Sequence, residues 1–170
     1  MPEIKNESQT ATPADSARAI SPEDETFLRE ALAEAERAAR MDEVPVGAVI
    51  VRDGQMIARA ANTREGSKCA THHAEILAIE EACRTLGGWR LPGTTLYVTL
   101  EPCPMCAGAI LNARIPRVYF GARDREMGAC GGVLNLFMED FPTRPALVGG
   151  VLEEECGAVL TEFFRRLRKI

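Results

Sequence analysis

No apolar run in this chain approaches the length of a membrane span. Its N-terminus is polar and lacks a hydrophobic signal core. Six cysteines are present, but without the dense spacing of a disulfide framework. No internal repeat is visible. The net charge of −5 lacks the overall basicity that advertises a nucleic-acid binder. These absences argue against a membrane protein, a disulfide-stapled secreted domain and a repeat array. They predict a reducing cytoplasm, free thiols and no membrane partner. What remains is an ordinary globular composition, 46% hydrophobic and 26% charged over 170 residues, enough for one domain with a sizeable core.

The distribution of charge says more than its sum. Residues 23 to 43 carry eight acids and three bases, a local balance of −5. Residues 44 to 170 carry fifteen bases and fourteen acids, or +1. Basic side chains gather at Arg114, Arg117, Arg123 and Arg125, and again at Arg165, Arg166, Arg168 and Lys169. Such clusters suit phosphates. The plainer reading of the second cluster is a helix end, where cations meet the negative end of the dipole.

Residues 1 to 20, rich in Ser, Thr, Ala, Pro and charge, read as a disordered extension. Ser21-Pro22-Glu23-Asp24 is a helix start, with Ser as N-cap and Pro in the first turn. Phe27, Leu28, Ala31, Leu32, Ala35 and Ala39 mark one face of that helix. Strands are predicted over 44–51 and 56–61, joined at Asp53-Gly54. A polar loop over 62–71 leads to a helix ending near Leu86, before Gly87-Gly88; its Ile76, Leu77, Ile79 and Cys83 can face a sheet. A strand over 95–100, a helix over 104–112, strands over 115–120 and 148–151 and a closing helix over 152–167 complete the order. Residues 122–147 read as irregular. This order predicts an α/β fold: a central sheet of about five strands with helices on both faces.

The chemistry centres on His73-Ala74-Glu75 and Pro102-Cys103-Pro104-Met105-Cys106. One imidazole and two thiolates suit zinc in tetrahedral geometry, and three protein ligands leave a fourth position open, the mark of a catalytic site. Zinc lowers the pKa of bound water to about 7. Glu75, two residues beyond the histidine, is placed to exchange protons without ligating the metal. Cys103 and Cys106 lie one helical turn apart, so both sulfurs can reach one ion. A C-x-x-C alone fits half of a structural zinc site or a redox pair equally well. Glu75 counts against both, since neither needs it.

The pattern H-x-E followed by P-C-x-x-C resembles that of the zinc-dependent nucleobase deaminases. From about Glu43 to near the C-terminus the chain is similar to the tRNA adenosine deaminases of that superfamily. Glu43-Val44-Pro45-Val46-Gly47-Ala48-Val49, Thr99-Leu100-Glu101-Pro102-Cys103, Gly121-Ala122-Arg123-Asp124 and Glu162-Phe163-Phe164-Arg165 carry the likeness. The resemblance implies a three-layer α/β/α cytidine-deaminase-like fold with a mixed sheet, a deaminase domain over 21–170, and one zinc per subunit held by His73, Cys103 and Cys106. It also implies hydrolytic deamination of the wobble adenosine in a tRNA anticodon to inosine, with Glu75 as the proton shuttle. The implied partners are a tRNA anticodon stem-loop and, in a homodimer, a second copy of the chain.

Further site residues follow from the same resemblance. Asn62 matches a position that hydrogen-bonds the target nucleotide; as a turn residue it would bond backbone instead. Asp124 matches a position near the nucleotide and anticodon loop; its plainer reading is a loop acid paired with an arginine. Phe164 resembles an aromatic that meets RNA, or packs in the last helix. Glu43 and Val46 look like pocket-lining positions, and Val46 suits plain sheet core as well. His72 departs from the family, where a small residue is common; His73 already has the ligand offset to Glu75. The alternative enzyme is a small-molecule deaminase acting on guanine, cytosine or a nucleoside, which needs no basic RNA surface. The alternative outside enzymes is a non-catalytic zinc or redox module.

Overall fold

The structure, a computed structural model, describes residues 19–169. The expected disordered extension therefore lies almost entirely outside the described residues. Helix α1 (Pro22–Arg40) opens with a capping box in which Ser21 and Asp24 each bond the other's backbone N–H. Asp24 also accepts a 2.8 Å bond from the buried Tyr97 hydroxyl, which ties the helix start to the sheet. Strands β1 (Gly47–Arg52) and β2 (Gln55–Ala61) form an antiparallel hairpin. A short helix α2 (Arg64–Ser67) precedes α3 (Ala74–Leu86). Strand β3 (Thr94–Leu100), helix α4 (Pro104–Ala113), strands β4 (Arg117–Ala122) and β5 (Ala146–Gly149), and helix α5 (Glu153–Leu167) follow.

The sheet order is β2-β1-β3-β4-β5. β1 is antiparallel to both neighbours, while β3, β4 and β5 run parallel. The sheet is thus mixed and five-stranded, as expected. Helices α1 and α5 cover one face around Leu28, Val49, Tyr97, Tyr119 and Cys156. Helices α3 and α4 cover the other around Ile50, Leu96, Val98, Ile110 and Phe120. The α3 face is largely alanine: Ala74, Ala78 and Ala82 are fully buried, with Ile79 beside them. Leu77 and Cys83 pack at its margin, and Ile76 stays half-exposed. Small residues let α3 lie close to the sheet, which sets where its N-terminus ends up.

Three strands start two or three residues away from the sequence reading. β1 starts at Gly47 rather than residue 44, because Pro45 has no N–H for the ladder and Val46 N donates to Val44 O in a tight turn. Gly47 also passes so close to α1 that a Cβ there would sit 2.0 Å from Ala31 O. β4 starts at Arg117 because Arg114 adopts a left-handed conformation and Pro116 cannot donate. β5 spans Ala146–Gly149 rather than 148–151, since Arg117 pairs with Ala146 and Gly150 turns the chain with φ +82°. The loop over 62–71 contains the short helix α2, and the irregular segment holds a 3-10 turn at Leu136–Met138.

Candidate metal centre and active site

β3 and β4 run parallel, so the chain leaves the central strand β3 at Leu100 and enters α4 within a few residues, at the C-terminal end of these strands. His73 is the N-cap residue of α3, and Cys103 is the N-cap residue of α4. Neither side chain caps its own helix. Both turn instead to a shared point. His73 Nδ1 lies 3.7 Å from Cys103 Sγ and 3.6 Å from Cys106 Sγ. All three ligand atoms lie within 4.8 Å of one another. Two ligands at ordinary zinc distances on a tetrahedron are separated by about 3.6 Å for a nitrogen and a sulfur. The donor set and spacing therefore fit one zinc ion, with no fourth protein ligand among the described residues. The N-terminal ends of both helices add a positive field that favours thiolates.

Protons are already redistributed in this cluster. The hydrogen bond from Cys106, helped by His73, pulls the Cys103 thiol down to about 4. The same bond, with burial, pushes the Cys106 thiol up. The hydrogen bond to Cys103 raises the His73 imidazole above its ordinary value. Glu75 lies in the first turn of α3 and is 3% exposed. Burial raises its carboxyl to about 7. Its Oε2 has no hydrogen-bond partner, the single such buried side-chain atom among the described residues. A buried acceptor without a partner costs about 1–3 kcal/mol. Left unpaired beside three metal ligands, it is poised to take a proton from whatever occupies the site.

The remaining expected site residues divide by what they touch. Asn62 is buried, donates to Val44 O at 3.2 Å and accepts from Arg64 N at 3.3 Å. Glu43 is 2% exposed and accepts from Glu65 N and Gly66 N, which caps α2. Val46 packs in the α3–α4 core. Asp124 holds a turn, its Oδ1 accepting from Glu126 N and Met127 N. Phe164 is 44% exposed and packs edge-on against the buried Phe163, with ring centroids 5.5 Å apart. His72 bonds Ser67 Oγ through Nδ1 at 2.9 Å and takes no part in the ligand cluster.

The family described as the cytidine and deoxycytidylate deaminase zinc-binding region matches residues 21–122. The chain belongs to that family. Within this deaminase family it is 53% identical over 148 residues to the tRNA-specific adenosine deaminase of Bacillus subtilis, covering 86% of this chain and 92% of the relative. A solved structure from work on A-to-I editing by tRNA:A34 deaminases superposes with TM-score 0.77 at 46% identity, over 79% of this chain and 99% of the other. A guanine deaminase of Bacillus subtilis superposes with TM-score 0.58 at 40% identity, over 67% and 73%. Deaminase chemistry and a zinc-binding site are therefore properties of this chain's family, and His73, Cys103 and Cys106 are the group here that can hold the metal.

One residue with a structural role at the site was not singled out from sequence. Glu101, just before the Pro102-Cys103 step, is 2% exposed and accepts backbone hydrogen bonds from Asp124, Cys130 and Gly132. A signal was present: a charged residue directly after an apolar strand, followed downstream by Gly128, Gly131 and Gly132.

Proposed function

We propose that this chain deaminates the wobble adenosine of a tRNA anticodon to inosine, with Glu75 as proton shuttle and His73, Cys103 and Cys106 as zinc ligands. The observation that carries the chemistry is the unpartnered Glu75 Oε2 beside three converging ligand atoms. The substrate reading is supported by the 53% identity to a tRNA-specific adenosine deaminase and the likeness to an A34-editing enzyme.

When bound, zinc supplies a Lewis acid that brings the pKa of water to about 7. Glu75 accepts the proton of the attacking water at Oε2 and delivers it to the ring nitrogen beside the amine-bearing carbon. A second transfer through Glu75 protonates the amine, and ammonia leaves as the carbonyl of inosine forms. Water and adenosine are consumed; inosine and ammonia are produced. Glu75 suits the task because the first turn of α3 holds it two residues from His73, buried beside the ligand cluster, and its carboxyl is raised to about 7 by burial.

Substrate contacts extend this reading to Asn62, Asp124, Glu43, Val46 and Phe164. Asn62 keeps unused donor and acceptor capacity beyond its two backbone bonds. The exposed Phe164 sits beside Arg165, Arg166 and Arg168, an aromatic and basic surface suited to an RNA loop. The active unit is a homodimer acting in the cytoplasm: Met127, Val133, Leu134, Met138 and Phe141 are exposed on one segment beside the site, an apolar surface suited to a second copy. No helix among the described residues is long and apolar enough to cross a membrane.

The second reading, a free-base deaminase, draws on the guanine deaminase likeness. Inosine formation on an anticodon stem-loop bearing a wobble adenosine, with guanine, cytosine and free adenosine in parallel, separates the two. Turnover of the stem-loop alone is the expected result. Turnover of a free base alone would overturn the RNA reading.

A further inference from the structure

Segment 123–135, directly after β4, has no helix or paired strand beyond a single bridge between Cys130 and Asn135. Something other than a ladder must hold it. The bonds converge on one place. Glu101 Oε2 accepts from Asp124 N at 3.0 Å; Oε1 accepts from Cys130 N at 3.0 Å and Gly132 N at 2.7 Å. The backbone beside it adds Glu101 N to Ala122 O and Ala129 N to Pro102 O, both 2.8 Å. Gly128 and Gly132 close over the carboxyl so tightly that a Cβ would sit 2.5 and 2.7 Å from its atoms. No described ion pair involves Glu101; the backbone N–H groups neutralise it instead.

We propose that Glu101 is the positioning residue for the substrate-facing edge of this site: its carboxylate clamps segment 124–132 to the Cys103 end of α4 before substrate arrives. The inference rests on the RNA-deaminase reading for the substrate and for the place of Asp124 beside it; the clamp itself rests on the hydrogen bonds alone. The clamp couples two things that chemistry needs in register. Cys103 follows Glu101 by two residues, and the clamped segment carries Asp124 and the exposed Met127. A carboxylate suits the task because it is acceptor-only and both oxygens are in use. Glutamine keeps the shape but turns an NH2 toward one or more backbone N–H groups. Loosening the edge weakens substrate capture while leaving the ligands and Glu75 in place, because those sit on α3 and α4.

The test is Glu101→Gln in the full chain, loaded with zinc. Amide hydrogen exchange at Asp124, Cys130 and Gly132 is expected to rise about tenfold or more, with β1 and β3 amides unchanged. Zinc stays at one per chain. KM for the anticodon stem-loop rises about tenfold, and kcat falls by less than KM rises. Unchanged exchange at those three amides would overturn the proposal, as would loss of zinc, which would make Glu101 a support of the ligands instead. An equal rise in exchange across the whole chain would show mere destabilisation. Should the variant not fold, Glu101→Asp keeps the charge but withdraws the carboxylate by one methylene from Asp124 N, Cys130 N and Gly132 N, and the same exchange pattern is expected; wild-type-like protection there would refute the clamp. If wild-type protein turns over no stem-loop, the RNA reading fails, and the exchange pattern still decides the clamp.

Discussion

The two sides of the site are built differently. The metal side consists of His73, Glu75, Cys103 and Cys106 on the first turns of two helices packed on a sheet. The proposed substrate side, residues 123–135, has almost no regular structure and is tied down by tertiary bonds to the Glu101 carboxylate and to Pro102 O. The metal side positions atoms through rigid elements, so its geometry survives local changes nearby. The substrate side depends on a few specific bonds and is the part that a single substitution can reshape. The chain is similar both to a structure from work on tRNA:A34 deaminases and to a guanine deaminase, at 46% and 40% identity, so likeness of scaffold alone does not fix the substrate.

The metal side breaks most completely. Cys103→Ala removes one of three ligands and is expected to lose both zinc and turnover; metal analysis of the purified protein beside an activity assay checks this, and an active, metal-free variant would remove the site proposal. The next effect is on pH. With Cys106 and His73 raised, the metal-free site holds protons near neutrality that zinc must displace, whereas Cys103, at about 4, is already ionised. Zinc affinity therefore increases as pH rises from 6 to 8, about tenfold per unit for each proton displaced. Competition titrations against a chelator at three pH values read this slope, and a flat profile would contradict the proton assignment.

On the substrate side the expected effects are smaller. Phe164→Ala removes an exposed ring, and one stacked base contributes about 1–3 kcal/mol. KM for the stem-loop should rise at least about fivefold, with thermal stability nearly unchanged; a lower melting temperature without a KM change would assign Phe164 to packing on Phe163. The smallest effect belongs to the tail. Deleting residues 1–18 should leave kcat/KM on the stem-loop unaltered, and a dead truncated enzyme would refute a passive extension.

How much of this was legible beforehand tracks the range of the interactions. The ligand set was readable because each residue sits at a helix start within a short motif, and helix starts have local signals. The order of elements and the five-stranded sheet were readable from apolar periodicity. Strand edges were less so: β1 begins late because of Pro45 and the close approach of Gly47 to α1, and only the second is a tertiary fact. Glu43 illustrates the limit. Its carboxylate caps α2 more than twenty residues away, a pairing with no local signal; Glu101 had a local signal, a charge directly after an apolar strand, but its partners, 23 to 31 residues on, had none. Asn62 shows both tendencies at once, a turn residue whose side chain bonds backbone yet retains capacity for a ligand.

In the proposed reading, metal binding and proton transfer fall to different side chains of one cluster. The most direct test is Glu75→Gln, with zinc content and inosine formation measured on the same preparation. Zinc should remain at one per chain, because Glu75 is not among the ligand atoms, while turnover falls by about 10²–10⁴-fold or more. Loss of zinc would make Glu75 a support of the metal, and turnover near the wild-type rate would remove it from proton transfer.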